Sequence, residues 1–177
     1  MKLKKLATAA LAMTFVLSGC GGSEDDGKNV SSVTGKEKFV VGMECNYAPF
    51  NWQSNEQTDT SVAIGGAGYC DGYDVRVARY VAEQLDREIE VKKVSWEGLQ
   101  PALNSGEIDA VIAGMTADDK RRAGMDFTTP YYESEMVMIV RKSDKKVAKY
   151  NDIQQFKGKT VIGQKSTNYD TVIDQIK

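Results

Sequence analysis

Eight residues carry side chains or bare backbone suited to holding a small charged molecule: Glu44, Tyr47, Trp96, Gly114, Thr116, Arg121, Ser166 and Thr167. Tyr47 and Trp96 offer flat aromatic faces with one polar edge each. Arg121 offers a planar guanidinium, whose parallel N–H groups match a carboxylate bidentately. Thr116, Ser166 and Thr167 add hydroxyl and amide donors, and Gly114 lets backbone approach closely. The Glu44 carboxylate can only accept, so it suits a guanidinium, an ammonium or a carboxamide and repels an acid. Together these groups suit a small zwitterion held between aromatic faces. Other chemistries are poorly supplied. The chain has His 0, so metal sites and histidine-based triads lose their usual residue and neither a metal nor a cofactor is expected. Glu44 is the one candidate for a general acid or base, which does not point to an enzyme.

All eight fall where strands end. Phe39 to Met43 is a short apolar, β-branched run and reads as a buried strand. A polar loop follows from Gln53 to Ala67. Val75, Ala78, Val81, Ala82 and Leu85 then recur at helical spacing, with Asp74 placed to cap that helix or favour its positive end. Ile89, Val91 and Lys93 alternate as a second strand, and Ser95 offers a cap for a helix over 96–104. Residues 108–113 read as a third strand, 118–122 as a charged helical turn and 136–140 as a fourth, wholly apolar strand. Beyond a charged crossing at 142–146, a short helix at 152–156, a strand at 160–163 and a helix at 167–176 open a second lobe. Alternating strands and helices imply an α/β fold with largely parallel strands. Its ligand site belongs at their carboxyl ends. One strand and two helices cannot bury a core of their own, so the second lobe is expected to be incomplete and Lys177 not to be the natural end of the design.

The amino terminus reads as a secretory signal over 1–19: Lys2, Lys4 and Lys5, an apolar run from Leu6 to Leu17, then Ser18-Gly19-Cys20. The apolar run is too short to span a bilayer, which takes about 20 residues. Its end is similar to the lipobox of bacterial lipoproteins, in which the cysteine becomes the lipidated first residue. A polar tether over 20–37 follows, too poor in apolar residues to fold. Lys+Arg 23 against Asp+Glu 25 becomes 20 against 25 without residues 1–19, which hold three lysines and no acid. That balance, with no basic stripe, argues against a nucleic-acid partner. With Cys20 in the anchor, Cys45 and Cys70 remain, either as a disulfide across the base of the polar loop or as two free, partly buried thiols.

Five segments in order resemble one family. Gly42-Met43-Glu44-Cys45-Asn46-Tyr47-Ala48-Pro49-Phe50 is similar to the opening strand and loop of the polar amino-acid binding proteins, the solute-binding proteins of ABC importers. Gly72-Tyr73-Asp74-Val75 and Trp96-Glu97-Gly98-Leu99-Gln100-Pro101-Ala102-Leu103 resemble the starts of their first two helices. Ala113-Gly114-Met115-Thr116 with Arg121, then Asp126-Phe127 and Pro130-Tyr131-Tyr132, complete the run. The resemblance implies a periplasmic-binding-protein-like type II fold, with a first lobe over 38–141, the second beginning at 142 and a hinge just after 139–141. It implies that Arg121 and the Thr116 amide hold the ligand's α-carboxylate, while the Gly114 carbonyl and Thr116 hydroxyl take its α-ammonium. Tyr47 and Trp96 would flank the ligand side chain, and Glu44 would meet its far end. Gln164-Lys165-Ser166-Thr167 matches a loop that usually reads Gln-x-Gly-Thr, with Ser166 in place of the glycine; Asp118 stands where the family commonly has threonine. The implied partners are a free amino acid, cationic or amide-bearing, the membrane subunits of an ABC importer, and the membrane itself through the Cys20 lipid. The implied location is the outer face of the cytoplasmic membrane or the periplasm. Two alternatives share the fold: a cyclohexadienyl-dehydratase-like enzyme, and the ligand-binding domain of a sensor. A second lobe so short implies that this piece binds its amino acid weakly or not at all.

Overall fold

The computed structural model describes residues 37–66 and 68–177; the expected signal, Cys20 and nearly all of the tether lie outside the described residues. In chain order the strands are β1 (Lys38–Met43), β2 (Asn46–Tyr47), β3 (Asn51–Ser54), β4 (Val62–Ala63), β5 (Tyr69–Asp71), β6 (Glu88–Lys93) and β7 (Ala110–Val111). The helices are α1 (Tyr73–Gln84), α2 (Leu99–Asn104), α3 (Asp119–Arg122) and α4 (Asn168–Ile173).

The site is positioned by a three-stranded parallel sheet in the order β6-β1-β7. Side chains of a strand alternate between its two faces. Phe39, Val41 and Met43 of β1 therefore share one face, where they cluster with Val75, Ala78 and Ala82 of α1 and Val91 of β6. On the other face Gly42 leaves room for Leu99 of α2 and for Ile108, both buried; a Cβ at Gly42 would collide with the Ile108 side chain. A helix thus covers each face, and each fully buried aliphatic side chain such as Val41 or Leu99 contributes roughly 1.5–3 kcal/mol. Asp109 stitches the strand edges together, since its carboxylate accepts from the Val40 amide at 2.8 Å while its own amide donates to the Val40 carbonyl at 2.8 Å.

The stretch expected as a polar loop is largely a second, antiparallel sheet, in the order β2-β3-β5-β4. Its polarity conceals what holds it. A disulfide joins Cys45 to Cys70, with the two Cα atoms 5.7 Å apart, so the open question of those thiols is resolved as a bridge. The Asp71 carboxylate accepts from the hydroxyls of Thr58 and Thr60 at 2.7 and 2.8 Å. Arg79 of α1 grips the carbonyls of Thr60 and Ser61 at 2.9 and 2.6 Å.

Several local expectations are corrected. Asp74 does not cap α1: Gly72 occupies the N-cap at φ 129°, and Asp74 is buried in a hydrogen-bond network described below. Ser95 makes no side-chain cap either, and a 3-10 turn over Trp96–Gly98 leads into α2. Asp118, the departure from the family pattern, caps α3 through a 2.8 Å bond from the Arg121 amide. The runs at 136–140 and 160–163 form no strand. A strand needs a neighbour for its backbone N–H and C=O groups, and among the described residues no strand pairs with either segment. Their side chains stay in water accordingly, with Ile139 95% and Ile162 90% exposed. The remaining segment carries two 3-10 turns, Val147–Lys149 and Ile153–Phe156, and then α4, capped by Thr167. Asp152 and Gln155 form a capping box on the second turn.

Candidate functional site

The carboxyl end of β1 delivers Glu44 and, through a left-handed Cys45 at φ 51°, turns into β2 and Tyr47. The carboxyl end of β7 delivers Gly114, also left-handed at φ 59°. These two turns meet. A Cβ on Gly114 would lie 3.0 Å from Cε1 of Tyr47, so the Tyr47 ring rests directly on the glycine backbone and leaves no room for a side chain. Tyr47 also stacks on Phe50, with ring centroids 5.1 Å apart, and Phe50 meets the edge of Tyr132 at 5.0 Å. The result is an aromatic wall on one side of the strand ends.

A second group of side chains is built around Arg121. Its side chain is only 12% exposed, unlike a solvated surface arginine. Its guanidinium lies 5.3 Å from the centroid of the Trp96 ring, within cation–π range. Nη1 donates to the Thr116 carbonyl at 2.7 Å and lies 3.4 Å from the Asp118 carboxylate, which fixes the plane of the fork. The second fork arm, Nη2, donates to the Ser166 carbonyl at 3.3 Å, and the Trp96 indole N–H donates to the same oxygen at 2.9 Å. A single carbonyl oxygen therefore sits between the guanidinium and the indole, as an acceptor from an anionic ligand could. Ser166 adopts φ 62°, the left-handed conformation that glycine accepts without cost. The serine keeps the backbone shape that the usual glycine of this loop would provide.

Thr167 turns its hydroxyl to the Gln164 carbonyl at 2.6 Å and accepts from the Tyr169 amide at 3.2 Å. It therefore holds the loop at 164–167 and caps α4. Gln164 reaches across to Glu44, its amide nitrogen lying 3.3 and 3.5 Å from the two carboxylate oxygens. The Tyr47 and Tyr169 hydroxyls are 3.3 Å apart. That hydrogen bond, with burial, pushes the Tyr47 phenol up to about 12, so it stays protonated at neutral pH. All eight residues singled out in the sequence thus lie in one connected region. An open cleft of about 1140 Å³ continues from Tyr47 between the runs at 136–140 and 160–163.

Sequence reasoning missed the groups beneath this surface. Asn51 and Asp74 are both fully buried. Asn51 accepts from the Cys45 amide at 2.8 Å and donates to Asp74 at 2.7 Å. Tyr131 donates to the other Asp74 oxygen at 2.7 Å, and its hydroxyl oxygen accepts from the Gly114 amide at 3.0 Å. Burial raises the Asp74 carboxyl above its ordinary range, against the opposing pull of the Tyr131 and Asn51 hydrogen bonds. Burial, and then the Asp74 charge, raise the Tyr131 phenol. Asp74 and Tyr131 stand in conspicuous motifs, but nothing local marks Asn51 as buried.

The chain is similar to known proteins. The model of the family described as bacterial extracellular solute-binding proteins, family 3, matches residues 39–176. A probable histidine-binding protein of Neisseria gonorrhoeae is 34% identical over 156 residues, covering 88% of this chain and 53% of the relative. The arginine-binding extracellular protein ArtP of Bacillus subtilis is 33% identical over 161 residues, covering 91% of this chain and 55% of the relative. The chain thus spans about half the length of these curated relatives. Among solved structures, the amino acid ABC transporter substrate-binding protein AbpA of Streptococcus pneumoniae, bound to L-arginine, is 32% identical with a TM-score of 0.46, over 54% of this chain and 37% of that one.

Proposed function

The chain belongs to the bacterial extracellular solute-binding proteins of family 3, whose fold is the periplasmic-binding-protein-like type II α/β architecture, and on that premise we propose that it captures an amino acid for an ABC importer. The observation that carries this reading is the Arg121 fork. It is largely buried, held in plane by Thr116 and Asp118, stacked against Trp96, and already engaged with an oxygen acceptor. A ligand carboxylate would replace the Ser166 carbonyl there and add a charge that the neutral oxygen lacks. The Gly114 carbonyl and the Thr116 hydroxyl would take the α-ammonium, and Tyr47 and Trp96 would flank the side chain.

The ligand is a cationic or amide-bearing amino acid, with arginine or lysine ahead of glutamine. The contact between Glu44 and the Gln164 carboxamide supports this, because the carboxylate is poised for a nitrogen donor. Relatives named for binding histidine and arginine support the same class. The protein acts outside the cytoplasm, held to the membrane by lipid on Cys20, and is a binding protein with no turnover of its own.

Calorimetric titration of the full-length protein with arginine, lysine, glutamine and glutamate tests the assignment. Arginine or lysine should bind, glutamate should not, and Arg121→Ala should weaken binding by about 100-fold, as expected for two charge-assisted hydrogen bonds. Tight glutamate binding with no response to arginine would overturn the ligand class.

A further inference from the structure

Two backbone turns carry the proposed site, and both are left-handed: Cys45 at φ 51°, between Glu44 and Tyr47, and Gly114 at φ 59°, before Thr116. The amide of each turn residue ends on one hydrogen-bond network that is anchored on the fully buried Asp74. The Cys45 amide donates to Asn51 at 2.8 Å and Asn51 donates to Asp74 at 2.7 Å. The Gly114 amide donates to the Tyr131 hydroxyl at 3.0 Å, which donates to Asp74 at 2.7 Å. The proton count closes. A phenol has one hydrogen and two lone pairs, so Tyr131 can give its hydrogen to Asp74 and still accept from Gly114. An ionised carboxylate has no hydrogen, so Asp74 accepts from both sides and fixes the direction of every bond outward to the two turns. The Asn51 amide must then point its oxygen at Cys45.

We infer that Asp74 and Tyr131 are positioning residues for ligand recognition: one buried carboxylate sets both turns, and through Tyr131 it aims the Gly114 carbonyl at the α-ammonium of the bound amino acid. Neither residue touches the ligand. The inference rests on the reading of the site given above, because it takes Gly114 as the ammonium acceptor.

The test pairs a variant with a matched ligand pair, using the full-length protein: arginine and its des-amino analogue, 5-guanidinopentanoate, titrated into the native protein and Tyr131→Phe. Native protein should prefer arginine by at least ~10-fold, the scale of charge-assisted hydrogen bonds to an ammonium. Tyr131→Phe should remove most of that preference while leaving the analogue's affinity within about twofold. A merely structural role would weaken both ligands alike, and that result, or no change in either, overturns the inference while leaving the site reading standing. If the native protein binds neither compound at millimolar concentration, the site reading fails and the inference falls with it. Residue-resolved amide exchange provides a measurement that does not depend on ligand. Both the Cys45 and Gly114 amides should exchange slowly in the native chain. Tyr131→Phe should speed Gly114 alone, and Asp74→Asn should speed both. Fast exchange of both amides in the native chain overturns the network even where a variant fails to fold.

Discussion

Reducing the Cys45–Cys70 disulfide should lower stability by an amount that its position in the chain fixes in advance. The bridge spans a sequence separation of 25 residues. The chain-entropy relation for a loop of that length gives about 3.5 kcal/mol at 25 °C, from the freedom the bridge removes from the unfolded chain. Both half-cystines belong to the core cluster, at 2% and 0% exposure, so reduction should be carried out on the unfolded chain and not on the folded one. Urea unfolding followed by tryptophan fluorescence, with and without reductant, is the assay. With a denaturant slope of about 2 kcal/mol per molar, the midpoint should fall by about 1.5–2 M. The slope should rise slightly, because an uncrosslinked denatured chain exposes more surface. Thiol titration must show two additional free thiols per chain in the reduced sample. A midpoint shift below about 0.5 M, with those thiols released, would refute the reasoning: the second sheet would then be held by its other bonds, and the bridge would be incidental to stability.

Two further outcomes follow from the same part of the molecule. Gly72→Ala should cost about 3 kcal/mol or more, because Gly72 sits at φ 129° and a Cβ there would run into the Phe50 carbonyl and lie 2.9 Å from the Trp52 ring. Gly106→Ala, also left-handed at φ 75° but in open space, should cost only about 1 kcal/mol. Thermal melts compare the pair, and equal losses would show that the backbone collision does not matter. The second outcome concerns acid. Burial works to raise the Asp71 carboxyl, but the Thr58 and Thr60 hydroxyls, the Gly72 amide and the Arg76 charge outweigh it and hold Asp71 below the ordinary carboxylate range. A depressed native value means that the unfolded chain binds the proton more readily, so Asp71 stabilises above the unfolded value of about 3.9 and its contribution is lost as pH falls below that. Asp74, raised by burial, acts in the opposite sense: its contribution is complete below the unfolded value and is lost as pH rises through the native one. The double variant Thr58→Val, Thr60→Val should therefore flatten the acid limb of a stability–pH profile. It should also cost about 2–4 kcal/mol at neutral pH, from two hydrogen bonds to a charged group. An unchanged acid limb would mean that Asp71 does not depend on those hydroxyls.

How much of this was legible in the sequence depended on how far each feature reaches along the chain. The parallel sheet, the helices on its faces and the placing of Tyr47, Trp96, Gly114 and Arg121 at strand ends are local patterns. Apolar alternation in 39–43 and helical spacing in 75–85 suffice to locate them. The antiparallel sheet was illegible for the opposite reason. Its strands are short and polar, and it is held by Thr58, Thr60 and Arg79 meeting Asp71 and two carbonyls across a fold that the local sequence does not encode. The runs at 136–140 and 160–163 show the converse error. Their composition is that of strands, but a strand is a property of a pair, and composition cannot supply the neighbour.

Asp74 makes the same point about function. At the start of a helix an aspartate is ordinarily a cap or a favourable charge near the positive end, and that reading uses only its immediate neighbours. What decides its role is Asn51, 23 residues earlier, and Tyr131, 57 residues later, closing over it together. A buried carboxylate is costly unless its oxygens are satisfied, so the fold must bring both partners to Asp74, and each partner then has one hydrogen-bonding group left to offer a site turn. The expense of burying the acid and the placing of the two turns are therefore one constraint. The residues that would touch an amino acid can be read from strand ends; the residue that aligns them becomes visible only when the fold shows where it is buried.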